Sequence, residues 1–358
     1  MITSTTRATA AAPPAARGGR SRPVESRTVE LRGLTKRFGP VPAVEDLTVD
    51  VRPGLVTGFL GPNGAGKSTT MRMILGLDHP TSGEARIGGL PFARLGHPMR
   101  TVGALLDARA VHPGRTAAGH LRGLAASNGL PARRVDEVLG AVGLADVAGR
   151  RTRGFSLGML QRLGVAGALL GDPAVLLFDE PVNGLDPEGV RWMRRLMREL
   201  AGQGRTVLVS SHLMAEMALT ADHLIVIGRG RLIADQPVGA LVEAGGRGGG
   251  RVVVALASPV VDDGARDHVS RDDVSRDGVA PVAALAARLL RAGARTAPDA
   301  SAPDALAVTG LDAASVGRIA AEAGLALARL TTEHPSLEDV FLDLTEGSVE
   351  YRSEGSAR

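Results

Sequence analysis

The stretch Gly61-Pro62-Asn63-Gly64-Ala65-Gly66-Lys67-Ser68-Thr69 has the residue types and the spacing that a polyphosphate requires. Glycines let the backbone wrap tightly and aim its N–H groups at phosphate oxygens. A helix leaving the loop turns its positive end toward the same anion. Lys67 supplies a point charge for the β- and γ-phosphates, and the Ser68 hydroxyl can ligate Mg2+. Only two of the 42 basic residues are lysines, Lys36 and Lys67. A chain so biased toward arginine still places a lysine in this loop.

A second group of residues fits the same chemistry. Ala174-Val175-Leu176-Leu177-Phe178 is an apolar run that ends in Asp179-Glu180. A buried strand delivers such carboxylates to its C-terminal edge, where α/β sheets place their ligands. Asp179 can hold Mg2+, and Glu180 can polarise an attacking water. Downstream, Asp186 can cap a helix that begins at Pro187, since proline suits the first helical position. Ser156 is a good N-cap for the helix announced by the apolar Leu163 to Leu170.

The elements that must position these residues are readable in outline. Gly54 to Leu60 predicts a buried strand entering the loop, and Ser68 to Leu75 a helix leaving it. Strand and helix patterns alternate from Thr28 to about Val242, as in a parallel α/β domain. Residues 1–27 read as a disordered tail rich in Ala, Pro and Gly, and 243–250 as a glycine-rich linker. Residues 251–345 read as a small α+β domain. Its expected elements are a strand at Arg251 to Ala257, a helix at Pro281 to Ala292 and a strand at Ala305 to Val308. A helix at Ala313 to Ala323, a strand at Leu325 to Thr331 and a last helix at Ser336 to Leu344 follow. Between the first two of these, 262–280 is a low-complexity insertion built on Arg266-Asp-His-Val-Ser and its two tandem variants. Residues 346–358 read as a frayed tail.

Composition narrows the classes. Of 358 residues, 44% are hydrophobic but only 2% aromatic, so the core must be aliphatic and aromatic platforms that stack nucleic-acid bases are not expected. The net charge is +4 and no basic stripe dominates, so nucleic acid is not an expected partner. There is no cysteine, which excludes disulfides, thiolate metal sites and cysteine nucleophiles. The most apolar segment, Leu163 to Gly171, is far short of the roughly 20 residues of a spanning helix. The N-terminus carries no apolar core of a secretory signal.

These motifs together resemble the ATP-binding cassette (ABC) ATPases. Ser156-Leu157-Gly158-Met159-Leu160-Gln161 is similar to the family signature, with Leu157 and Met159 in place of the usual glycine and glutamine. Asn183-Gly184-Leu185-Asp186-Pro187 resembles the D-loop, His212 the switch histidine, and Phe38 the aromatic that stacks on adenine. Asp107 stands where the family usually has the glutamine of the Q-loop. The resemblance covers about 28–242. It implies an α/β fold of the ABC type, a P-loop ATPase domain with a helical subdomain followed here by the small C-terminal domain. It implies ATP and Mg2+ as ligands, with Ser68, Asp179 and Asp107 toward the metal. Glu180 is then the general base, and His212 holds the γ-phosphate and the water. It also implies a head-to-tail homodimer, in which Ser156 and Gly158 reach the nucleotide of a second copy. Asp186 would contact that copy.

A separate transmembrane permease subunit would dock on the helical region, about Ala108 to Leu170, leaving the chain peripheral at the cytoplasmic face of the cell membrane. The C-terminal domain, with its ending Ser336-Leu-Glu-Asp-Val-Phe341, is similar to those of drug and antibiotic exporter ATPases of the daunorubicin and bacitracin resistance types. Export of a lipid or a polysaccharide is the alternative within transport.

Overall fold

The computed structural model describes residues 26–241, 251–257, 279–299 and 305–333. The expected linker, the tail at 346–358, the helix at Ser336 to Leu344, nearly all of the N-terminal tail and nearly all of the repeat insertion lie outside these.

Six strands form the central sheet: β3 (Val56–Leu60), β5 (Val102–Leu105), β6 (Val175–Asp179), β7 (Thr206–Ser211), β8 (His223–Gly228) and β9 (Arg231–Pro237), in the order β5-β6-β7-β3-β8-β9. All pairings are parallel except β8 with β9. The strands β3 and β7 are buried along their whole length. That is why neither strand alternates buried apolar with exposed polar residues: both faces of the sheet are covered. Helix α6 (Pro187–Gly202) shows the complementary pattern, burying Met193, Met197, Leu200 and Ala201 along one stripe.

The expectation of simple strand–helix alternation is corrected at the N-terminus. There β1 (Val29–Phe38), β2 (Val41–Val51) and β4 (Ser82–Ile87) form a separate antiparallel sheet, ordered β2-β1-β4. Only Gly39 and Pro40 separate β1 from β2. A connection that short can join only antiparallel neighbours, because a parallel return needs a dozen or more residues. Buried Leu31, Leu34, Leu47 and Val49 of this sheet share a core with Met71 and Ile74 of α1 (Lys67–Ile74) and with Phe59 of β3. The sheet thus backs the helix that leaves the phosphate loop.

A short α2 (Pro98–Thr101) leads into β5, and a helical subdomain follows it: α3 (Ala117–Ser127), α4 (Arg133–Ala141) and α5 (Leu157–Leu169). Leu121, Ala125, Val135, Val138, Leu139 and Leu163 pack together there, continuous with the core under β6 and α6. A short α7 (Met214–Ala218) follows β7.

Beyond the cassette, β10 (Arg251–Leu256), α8 (Val279–Arg291), β11 (Arg295–Pro298), β12 (Ala305–Thr309), α9 (Ala313–Glu322) and β13 (Leu327–Glu333) form their own unit. Its antiparallel sheet runs β11-β12-β10-β13. The β-α-β-β-α-β succession with this order is the ferredoxin-like arrangement. Leu285 and Leu289 of α8 and Val316 and Ala320 of α9 cover Val252, Val254 and Val308. Strand β11 has no counterpart among the sequence expectations. It is four residues long, mostly exposed and ends in proline, which only an edge strand tolerates.

Candidate active site

The loop between β3 and α1 lies at the carboxyl edge of the parallel sheet, beside the end of β6. A cavity of ≈ 220 Å3 opens there, bounded by residues 63–69, Ala43, Asp179 and Glu180. Gly66 occupies the N-cap position of α1 at φ 101°. A β-carbon on it would stand 2.4 Å from the Ala43 carbonyl oxygen, so both the dihedral and the space demand glycine. No side chain caps α1. Its first N–H groups therefore remain available to an anion, and the helix dipole favours one there.

Lys67 is buried, and its Nζ donates to the carbonyl oxygens of Gly61 at 2.6 Å and Pro62 at 3.2 Å. It also stands 4.0 Å from Glu180 Oε1. Burial pushes its pKa below the ordinary lysine value, while the charges of Glu180 and Asp179 pull the other way. The ammonium is thus poorly solvated and awaits a stronger anionic partner than two carbonyls. Ser68 is exposed to the cavity, whereas Thr70 is buried with its hydroxyl donating to Gly66 O at 2.9 Å.

The acids at the end of β6 are held by a residue that the sequence reading did not single out. The Ser210 hydroxyl, fully buried on β7, donates to Asp179 Oδ1 and accepts from the Glu180 N–H at 2.9 Å. Its signal was only a hydroxyl at the end of an apolar strand two residues before His212. The strand pairing sets Ser210 directly beside Asp179.

Glu180 itself has φ 48°, an uncommon conformation for a non-glycine residue. Such strain persists where surrounding contacts over-determine it. Its Oε1 lies 2.9 Å from His212 Nδ1. Its Oε2 is buried and, among the described residues, has no hydrogen-bond partner. Glu180 borders the phosphate cavity, and a carboxylate there has the chemistry to take a proton from water.

The remaining predicted residues stand apart from this cavity within one chain. Phe38 ends β1 at 56% exposure, with Lys36 Nζ 5.2 Å over its ring. Asp107 is exposed and accepts from the Arg109 N–H at 2.8 Å, closing its own turn after β5. Ser156 caps α5, accepting from Met159 N–H at 3.3 Å. Gly158 follows in the first turn of α5. Gln161 is buried and donates to the Asn183 carbonyl at 3.1 Å. Asp186 caps α6, accepting from Gly189 N–H at 2.8 Å.

A larger cleft, ≈ 910 Å3, lies between His97–Thr101 and the start of α4. It contains none of the residues above. Of the four arginines lining it, Arg134 is engaged by the carbonyls of Leu169 and Leu170 and by Glu137.

Similarity to known proteins agrees with this geometry. The family described as ABC transporter matches residues 44–183. The bacitracin transport ATP-binding protein BcrA of Bacillus licheniformis is 40% identical over 215 residues, 59% of this chain and 70% of that protein. This chain belongs to the ATP-binding proteins of ABC transporters. The Nod factor export ATP-binding protein I of Burkholderia lata is 37% identical, over 60% of this chain and 73% of that protein. Among solved structures, an ATP-binding subunit of an ABC transporter superposes with a TM-score of 0.56 at 28% identity, over 61% of this chain and 93% of its own. A dimeric ATP-binding cassette in a post-hydrolysis state with ADP and Pi shares the fold, with a TM-score of 0.54 at 24% identity, over 59% and 98%.

Members of this ABC family bind ATP and hydrolyse it to power transport, and this chain is an ATPase of that kind. Among the described residues no helix is long and apolar enough to cross a membrane. In the C-terminal unit, a domain of unknown function (DUF8746) matches residues 279–338.

Proposed function

We propose that this ABC ATPase drives an exporter of drug- or antibiotic-like compounds, working as a homodimer on a separate transmembrane permease subunit at the cytoplasmic face of the membrane. Relatives named for bacitracin and lantibiotic transport support that class of cargo. The observation that carries the catalytic part is the buried, unpartnered Glu180 Oε2, oriented by His212 through Oε1 and by Ser210 through the backbone.

In this reading the phosphates of ATP lie along residues 61–69, on the uncapped N-terminus of α1. Lys67 exchanges its two loop carbonyls for the β- and γ-phosphates. Glu180 takes the proton of the attacking water, while His212 fixes the carboxylate. Mg2+ fits the donor set: Ser68 and Asp179 both border the cavity, and this metal usually takes one or two protein ligands plus phosphate oxygens. When bound, it neutralises charge on the β- and γ-phosphates. Asp107, hydrogen-bonded within its own turn, joins this set only if that turn rearranges. Phe38 offers an exposed ring to adenine.

The signature residues Ser156 and Gly158, with Gln161 behind them, complete the nucleotide site of a second copy, and Asp186 lies on the surface that faces it. None of these residues lines this chain's own phosphate cavity, which supports that assignment. The experiment is Glu180→Gln, measured for turnover and for ATP-dependent dimerisation by light scattering. Turnover lost with ATP and the dimer retained is the expected result. Turnover near that of the unmodified chain removes Glu180 as the base.

A further inference from the structure

The function above employs Ser156 and Gly158 but assigns no part to what holds them against the turn at 183–186. One hydrogen bond crosses that junction, and a second carries on within the turn to Glu180. Gln161 Nε2 donates to Asn183 O at 3.1 Å, and the Asn183 N–H donates to Glu180 O at 3.2 Å. The path from α5 therefore ends on the peptide of the residue proposed as base. Gln161 is 6% exposed and its Oε1 is buried without a partner among the described residues, so the bond to Asn183 is what orients the amide.

An apolar contact reinforces the link. Gly184 stands at φ 77°, and a β-carbon on it would fall 2.2 Å from Leu157 Cδ2 and 2.6 Å from Leu157 Cγ. Leu157 thus fills the space that any side chain at 184 would need. Gly158 rests on the same turn, its β-carbon position 3.4 Å from Gly184 O and 3.5 Å from Leu185 Cδ2. Leu157 is also the departure from the glycine usual at this place in the signature, and it is accommodated because residue 184 has no side chain.

We infer that Leu157 and Gln161 are positioning residues. They fasten the Ser156 end of α5 to the Asn183–Asp186 turn, so that engagement of α5 with a second copy's nucleotide is transmitted through Asn183 to this chain's own Glu180. The inference rests on the head-to-tail dimer proposed above. Neither residue touches the phosphate loop, so loosening the link changes the catalytic step rather than nucleotide capture.

The test is a double-mutant cycle on ATP turnover and on nucleotide affinity, using Leu157→Gly, Gly184→Ala and both together, with Gln161→Met as an independent variant. Gly184→Ala alone collides with Leu157. In the Leu157→Gly background that collision is absent, so kcat recovers by about tenfold over the product of the two single effects. Gln161→Met lowers kcat by about tenfold with KM for ATP unchanged, the loss expected for one buried hydrogen bond. Thermal melting of every variant separates this split from loss of the fold, which would depress kcat and ATP binding together. Single effects that simply multiply, or kcat and KM moving together, overturn the inference while leaving the ATPase intact. Absence of ATP-dependent turnover in the unmodified chain overturns the dimer reading and this inference with it.

Discussion

In the reading proposed above, two helix N-termini of this protein serve the same anion in opposite ways. At α1 the cap is a left-handed glycine, no side chain satisfies the first N–H groups, and a buried ammonium sits beside them. At α5 the cap is Ser156, whose hydroxyl already accepts from Met159. The first end is incomplete without a ligand in its own chain. The second is locally satisfied, holds no titratable partner within its turn, and stands away from the phosphate cavity. In that reading a single chain carries one nearly whole phosphate site and one half of another. Cyclic symmetry lets two copies exchange the halves, since each supplies both surfaces.

The comparison can be broken most severely at Glu180. Glu180→Gln is expected to lower kcat by about 10^2- to 10^4-fold, the usual worth of a positioned base, with ATP binding retained. Steady-state turnover and nucleotide titration on the same preparation check it. Lys67→Ala comes next. Removing a charge-assisted partner of the phosphates is worth about 1.5–3 kcal/mol, so ATP affinity should fall roughly 10- to 100-fold, read by equilibrium binding. Unchanged affinity would remove the phosphate-loop assignment.

Ser156→Ala sharpens the contrast. Its lost cap costs about 1 kcal/mol of stability, yet its turnover should drop while ATP affinity of the isolated chain stays as it was. Denaturant unfolding and binding titration separate the two. The smallest effect is a control, Thr116→Ala. Thr116 caps α3 by accepting from Gly119 at 3.0 Å and does not line the phosphate cavity. It should also cost about 1 kcal/mol of stability, with no change in turnover.

How much of this was legible in the sequence follows from where each interaction lies along the chain. Residues 61–69 and the Ala174–Glu180 run are local. Glycine spacing, an uninterrupted apolar strand and terminal acids each state their requirement within a few neighbours. Caps were legible for the same reason, and Asp186 and Ser156 are found capping α6 and α5. Ser210 was not legible, because its role depends on β7 lying beside β6 in one register, Asp179 opposite Ser210. The junction of Leu157 with Gly184 was hidden likewise, since nothing in either segment announces the other. Strand β11 escaped because an exposed four-residue edge strand has no apolar alternation to betray it.

The central claim is that each nucleotide site is shared between copies, and mixing two inactive variants tests it most directly. Lys67→Ala lacks a working phosphate loop and Ser156→Ala lacks a working signature, so each alone should turn over ATP poorly. In a mixed dimer, the intact loop of one copy faces the intact signature of the other. The account predicts that turnover rises on mixing above the sum of the separate rates. A rate equal to that sum, with mixed dimers present, would contradict it.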